Sequence, residues 1–208
     1  MEDIFTKYKC IGILGGTFNP IHNGHIELAK CAIEQYSDIE QIIIIPNNKP
    51  AYKSNNGLVT ANDRYNMIKA ATSNLDYVTV SDIEIKRGGL TYSYDTICEI
   101  KKINPDINIY FIVGADSLFT VDTWYKFDEF LSMVTLLVAN RDSDMIKMQQ
   151  CADNLMTKYD NISIKFLNNL NISVSSSMIR ECDIDGRLAK EYLPCEVISY
   201  IKANKLYK

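Results

Sequence analysis

Apolar residues along this chain fall into two kinds of pattern. Cys10-Ile11-Gly12-Ile13-Leu14, Ile42-Ile43-Ile44-Ile45, Ile107 to Val113 and Val134 to Ala139 are short, strongly apolar runs, bounded by glycine, proline or polar residues. Runs of this length predict strands buried on both faces, as in a parallel sheet. Tyr77 to Val80 and Ile162 to Leu167 add two shorter strands. Between them apolar positions recur every three to four residues: Ile26, Ala29 and Ile33 with Leu28 and Ala32; Tyr65, Ile68, Ala71 and Thr72; Ile97, Ile100 and Ile103; Val197, Ile198 and Ile201. These predict helices over 22–36, after Thr60, into Asn104-Pro105 and after Pro194, with further helices near 118–121, 127–133 and 145–159. Thr60 or Asn62 is the candidate cap of the second helix. Strand–helix alternation predicts an α/β fold, a Rossmann-like doubly wound parallel sheet with helices on both faces. A small C-terminal helical portion is expected to complete one domain over residues 1–208.

Composition narrows the partners. The chain has 208 residues, 47% hydrophobic and 23% charged, with a formal net charge of -4 and no long basic run. A general nucleic-acid binder would show a basic footprint, so no nucleic-acid partner is expected. No stretch approaches the roughly 20 apolar residues of a membrane span, and Met1-Glu2-Asp3 does not open a secretory signal. The expectation is a cytoplasmic protein with no membrane partner. Its six cysteines are scattered without a C-x-x-C pair and read as free, packing thiols. Both histidines of the chain lie in one stretch, which argues against a His/Cys zinc site.

That stretch is Gly15-Gly16-Thr17-Phe18-Asn19-Pro20-Ile21-His22-Asn23-Gly24-His25. It joins the first strand to the first helix. Paired glycines let a backbone approach a ligand, and a helix N-terminus presents unpaired N–H groups and the positive end of a dipole to an anion. Two histidines three residues apart project from one side of such a helix entry. It is neither the dinucleotide fingerprint G-x-G-x-x-G nor a Walker A loop. A second candidate anion site is Ser175, Ser176 and Ser177 before Met178-Ile179-Arg180, a capped helix start. Between the two lie the polar segment from Asn47 to Val59 with Lys53, and Gly114-Ala115-Asp116-Ser117 at the end of an apolar strand. Open α/β sheets place ligand groups at such strand ends.

These residues together resemble the H-x-G-H nucleotidyltransferase superfamily: Gly16-Thr17-Phe18-Asn19-Pro20 with His22-Asn23-Gly24-His25, then Val174 to Arg180. Within it the chain is most similar to the bacterial nicotinate-nucleotide adenylyltransferases. Pro50 and Lys53, Arg64, Tyr92-Ser93 with Asp95-Thr96, Gly114 to Ser117, Trp124-Tyr125, Arg141, Tyr192-Leu193-Pro194 and Leu206-Tyr207 carry the likeness along the whole chain. The related phosphopantetheine adenylyltransferases are shorter and lack the Trp124-Tyr125 segment.

The resemblance implies a single nucleotidyltransferase domain joining the AMP moiety of ATP to nicotinate mononucleotide, with Mg2+ carried by the ATP phosphates and no metal ligand from the protein. It implies His22, His25, Lys53 and Arg180 as the charge-stabilising groups. Gly15, Gly16, Thr17, Phe18, Gly24, Gly114, Asp116, Ser175, Ser176 and Ser177 would line the ATP side. Asn19, Ser93, Trp124, Tyr125 and Arg141 would line the acceptor side, with the pyridine ring on Trp124. A homo-oligomer is compatible with this reading. Two positions depart from the family: Asn19 stands where aspartate is common, and Tyr52 where histidine is. Nicotinamide mononucleotide as acceptor, or a silent nucleotide-binding regulator, are the alternatives the sequence leaves open.

Overall fold

The computed structural model describes residues 3–51, 57–140, 145–168, 174–181 and 186–207. In chain order the strands are β1 (Cys10–Gly16), β2 (Gln41–Pro46), β3 (Lys49–Pro50), β4 (Val78–Val80), β5 (Leu90–Thr91), β6 (Asn108–Gly114), β7 (Thr135–Ala139) and β8 (Ser163–Leu167). The helices are α1 (Asp3–Lys7), α2 (Asn23–Gln35), α3 (Ala61–Thr72), α4 (Ile83–Arg87), α5 (Ser93–Ile103), α6 (Ala115–Leu118), α7 (Phe127–Ser132), α8 (Met145–Lys158), α9 (Ser176–Arg180), α10 (Arg187–Tyr192) and α11 (Cys195–Ala203).

Six strands form one parallel sheet in the order β4-β2-β1-β6-β7-β8. The isoleucine run of β2 shows why. Ile42 and Ile44 enter one core cluster, Ile43 and Ile45 the other, and all four are at most 1% exposed. Each buried isoleucine stabilises the fold by about 1.5–3 kcal/mol relative to exposure, so a register slip would be costly on both faces. On the first face Leu28 and Ala29 of α2, Ile68 of α3, Ile179 of α9 and Val197 and Ile201 of α11 cover the sheet. On the second face Phe5 of α1, Ile97 and Ile100 of α5, Phe130 of α7 and Met148 of α8 do so.

The strand order creates the crevice. From β1 the chain moves outward to β2 and β4, then returns through α5 to β6 on the other side of β1. The segments leaving the carboxyl ends of β1 and β6 therefore part in opposite directions. Open α/β sheets bind ligands at such a switch point. The glycine-rich stretch follows β1, and Gly114 closes β6.

Local chemistry sets the element ends. Thr60, rather than Asn62, caps α3, accepting the Asp63 N–H at 3.1 Å. Asn104 ends α5 ahead of Pro105. Ser175 caps α9 by accepting the Met178 N–H at 3.2 Å. Three helices lie outside the periodic pattern: α1, α4 and α10 are five or six residues long, too short to show a helical repeat. In α4 the sequence Ile83-Glu84-Ile85 even carries a period of two, yet Glu84 is the buried residue. The segment after β2 also begins with unanticipated order, since β3 pairs in parallel with β5.

Candidate active site

Thr17 to Ile21 carry the chain from β1 to the start of α2. Phe18 has φ of 49°, the left-handed region that few non-glycine residues occupy. Its ring turns back into the core, 2% exposed. A Cβ on Gly16 would lie 3.0 Å from the Phe18 Cζ. The absence of a side chain at Gly16 thus makes room for the chain's own aromatic ring. Phe18, expected on the ATP side, can offer a ligand only its backbone. Gly15 is exposed, and Gly24 is buried inside the first turn of α2.

His22 is the N-cap of α2 and is 2% exposed; His25 occupies the third helical position. Their rings stack at 3.7 Å with 29° between planes. The His22 N–H donates to Nδ1 of His25 at 3.2 Å. A nitrogen that accepts carries no proton, so the neutral His25 ring bears its proton on Nε2. The Phe18 and His25 rings meet in a T-shaped contact with centroids 4.9 Å apart. The helix start thus fixes both the tautomer and the tilt of His25.

The second motif docks directly on the first. Ser176 Oγ donates to the Pro20 carbonyl at 2.9 Å. Arg180 Nη1 donates to the Asn19 carbonyl at 2.7 Å, and Nη2 to Ser177 Oγ at 3.1 Å. A guanidinium has five N–H donors, so these bonds aim Arg180 without using its full capacity. The exposed Ser175 and Ser177 flank the same helix start.

Asn19 is 5% exposed. Its Nδ2 donates to the Gly57 carbonyl at 3.0 Å, while Oδ1 accepts from the Val59 N–H at 3.3 Å and from the Tyr207 hydroxyl. Both ends of the amide are engaged by protein, and one Nδ2–H bond, to Gly57, is used. An aspartate here could accept but not donate to Gly57. Burial raises the pKa of Tyr207, against the opposing pull of Arg180 and Arg64, so the phenol keeps the proton it donates.

On the other side of the crevice, Gly114 precedes α6 with open space where a Cβ would stand, and Asp116 is exposed on that helix's first turn. Ser93 is the first residue of α5. Trp124 is half-buried, 6.3 Å edge-on from Phe111 and 5.7 Å from Phe130. Tyr125 is 45% exposed and meets the rings of Tyr92 at 4.9 Å and Tyr94 at 5.8 Å. The Ser93 and Trp124-Tyr125 segments are therefore neighbours through this tyrosine cluster. The Tyr94 phenol is pushed up to about 12, chiefly by its hydrogen bond to Glu129. Lys53, Tyr52 and Arg141 lie outside the described residues.

Sequence reasoning does not find Asn47, which closes the turn from the β2 side. Its N–H donates to the Gly16 carbonyl at 3.0 Å and its Nδ2 to Thr17 Oγ1 at 3.1 Å. Arg64 and Tyr207 carry the family likeness, but the sequence assigns neither a role. The available signal is an arginine on the expected inner side of a helix, which cannot be solvated there.

A family model for cytidylyltransferase-like proteins matches residues 13–182, the interval from β1 to just past α9. A Lachnoclostridium phytofermentans protein named "probable nicotinate-nucleotide adenylyltransferase" is 40% identical over 198 residues, 95% of this chain and 98% of that one. A Lactococcus lactis protein of the same name is 33% identical, with 96% of each chain covered. The fold matches that of Plasmodium falciparum nicotinic acid mononucleotide adenylyltransferase complexed with NaAD, at a TM-score of 0.78 and 23% identity over 96% of this chain and 98% of that one. With both motifs joined at the switch point and likeness running through nearly the full chain, this protein belongs to the nicotinate-nucleotide adenylyltransferase family within the cytidylyltransferase-like group.

Proposed function

We propose that the chain transfers the adenylyl group of ATP to nicotinate mononucleotide, giving nicotinate adenine dinucleotide and pyrophosphate. The observation that carries this reading is the junction of the two motifs, where Ser176 and Arg180 bond to Pro20 and Asn19 beside the His22–His25 pair. That junction gathers an aimed imidazole N–H, a guanidinium and two helix starts around one crevice, a set suited to phosphate.

The reaction needs no activated protein nucleophile. The acceptor phosphate is largely dianionic at neutral pH, its second pKa being about 6. Its oxygen attacks the α-phosphorus of ATP, and the bond to the bridging oxygen of pyrophosphate breaks in line with it. The protein's part is to align two anions and offset the charge that develops. His25 acts as a donor through Nε2–H, with His22 stacked behind it. Arg180 and the serines of α9 hold the outer phosphates, and the family resemblance assigns Lys53 to the same role. The adenosine lies by Gly114 and Asp116. The pyridine ring stacks on Trp124, its carboxylate near the N–H groups of Ser93 and Tyr125, and the family resemblance assigns Arg141 to the acceptor as well. Mg2+ carried by the ATP phosphates would neutralise charge at this site. The chain works as a single domain, and the absence of any helix long and apolar enough to cross a membrane among the described residues is compatible with a cytoplasmic enzyme.

The test is pyrophosphate release with ATP and Mg2+, comparing nicotinate mononucleotide, nicotinamide mononucleotide and phosphopantetheine. Preference for nicotinate mononucleotide is expected. No turnover with any acceptor would overturn the reading, and preference for another acceptor would replace the substrate.

A further inference from the structure

Arg64 on α3 has 0% exposure, the largest fully buried side chain among the described residues. It meets no carboxylate within ion-pair distance among them. Instead its guanidinium bonds to oxygens from three segments. Nη1 donates to the Thr17 carbonyl at 2.8 Å and to Asn47 Oδ1 at 3.1 Å. Nη2 donates to the carbonyls of Asn47 at 2.7 Å and Asn48 at 2.9 Å. Nε donates to the Val59 carbonyl at 3.4 Å. Five donors meet five acceptors, so the fork is geometrically saturated. Burial lowers its pKa, and a charge kept in such a place without a paired carboxylate is held for what its fork fixes.

What it fixes runs from one substrate side to the other. Thr17 belongs to the turn on the ATP side. Asn48, held by Nη2, donates its N–H to Thr91 Oγ1 at 3.2 Å and its Nδ2 to the Gly89 carbonyl at 3.0 Å. Thr91 ends β5, two residues before Ser93 on the acceptor side. A bonded path therefore runs Thr17, Arg64, Asn48, Thr91. We propose that Arg64 is a positioning residue for adenylyl transfer. It touches neither substrate and sets the spacing between the turn that holds ATP and the α5 start that holds the acceptor. This rests on the function proposed above.

In-line displacement is sensitive to such spacing, and a misplacement of about 1 Å can cost on the order of 100-fold in rate. The experiment compares wild type, Arg64→Lys and Thr91→Val. Lysine keeps the charge but cannot span three segments; valine removes only the hydroxyl that accepts from Asn48. For each, steady-state kcat is measured with ATP and nicotinate mononucleotide, and Kd for each substrate alone by calorimetry, on protein shown to be folded by circular dichroism. Arg64→Lys should lower kcat by about 30- to 100-fold while either Kd changes less than about threefold. Thr91→Val should show the same split at roughly a tenth of the size. An unchanged kcat in both, or a loss matched by weakened single-substrate binding, would overturn the proposal. If Arg64→Lys fails to fold, the split in Thr91→Val decides it. Wild-type protein inactive with nicotinate mononucleotide would overturn the underlying function, and the proposal with it; active wild type with unaltered variants would overturn the proposal alone.

Discussion

The Tyr207 hydroxyl donates to Asn19 Oδ1 at 2.8 Å, joining positions 188 apart in sequence. Through that bond the last described residue of the chain braces the residue whose carbonyl aims Arg180. Tyr207→Phe removes the donor and leaves the Val59 N–H as the remaining partner of Oδ1. A hydrogen bond of this kind is worth about 1 kcal/mol, or roughly 2–4 °C in Tm for a chain of this size. Thermal unfolding should show that drop, and an unaltered Tm would remove the brace. Asn19→Asp should cost at least as much, since a carboxylate faces the Gly57 carbonyl without a proton to share.

His25 accepts through Nδ1 from the His22 N–H, and the proposed function assigns its Nε2–H to substrate. His25→Ala should lower kcat at least ~100-fold, the low end for losing one aimed donor. His25→Gln should recover part of that rate, because glutamine at this position supports the helix start and carries its own N–H donors. Steady-state pyrophosphate release is the measurement. Equal rates for Ala and wild type would refute the donor role.

Trp124 packs on Phe111 and Phe130, so it has a structural part as well as a proposed stacking one. Trp124→Ala should raise the KM of nicotinate mononucleotide more than that of ATP, and should also destabilise the fold by about 3 kcal/mol. Trp124→Phe keeps a ring and should separate the two effects, sparing most of the stability. A KM unchanged in both variants would leave only the packing role.

Glu84 on α4 is 6% exposed and accepts from the Thr96 hydroxyl at 2.7 Å. Burial dominates and raises its pKa from 4.5 to about 7, against the hydrogen bond from Thr96 and the attraction of Arg87 and Arg64; Glu99 adds to the rise. Below pH 4.5 both folded and unfolded chains hold the proton, and the residue costs nothing. Between 4.5 and about 7 the unfolded chain releases it while the folded chain keeps it, so stability falls as pH rises. The loss reaches on the order of 3 kcal/mol above about pH 7. Urea unfolding at about pH 4 and about pH 8, on either side of that window, should show that Glu84→Gln flattens this slope. Equal slopes would mean the carboxyl is not the source.

The main sheet was legible because β1, β2, β6 and β7 are apolar on both faces, and runs that short and that apolar fit strands between two helical layers better than they fit helices. The parts that escaped were built from contacts rather than periodicity. Strands β3 and β5 are two residues each, and α4 hides a buried glutamate inside an alternating pattern. In the site, the histidine pair and Ser175 to Arg180 stood out by residue type and position. Asn19 did not. It reads as a departure from a family aspartate, and only its bonds to Gly57, Val59 and Tyr207 show why an amide suits the place. Asn47 has no signature at all, because an asparagine that bridges two turns looks like any loop asparagine.

The first motif follows β1, in the middle of the sheet, and the second follows β8, the last strand in sequence. Contacts between them close loops of 156 and 161 residues. A chain still emerging during synthesis can thus complete its whole sheet and still own only half of the proposed phosphate site. Closing loops that long has an entropic cost that grows slowly with length but is met late. A triphosphate lying across both motifs would add its binding free energy to that closure and to nothing earlier. ATP would then act as a clasp on the last step of folding as well as a reactant, holding shut the join between the two ends of the chain's history.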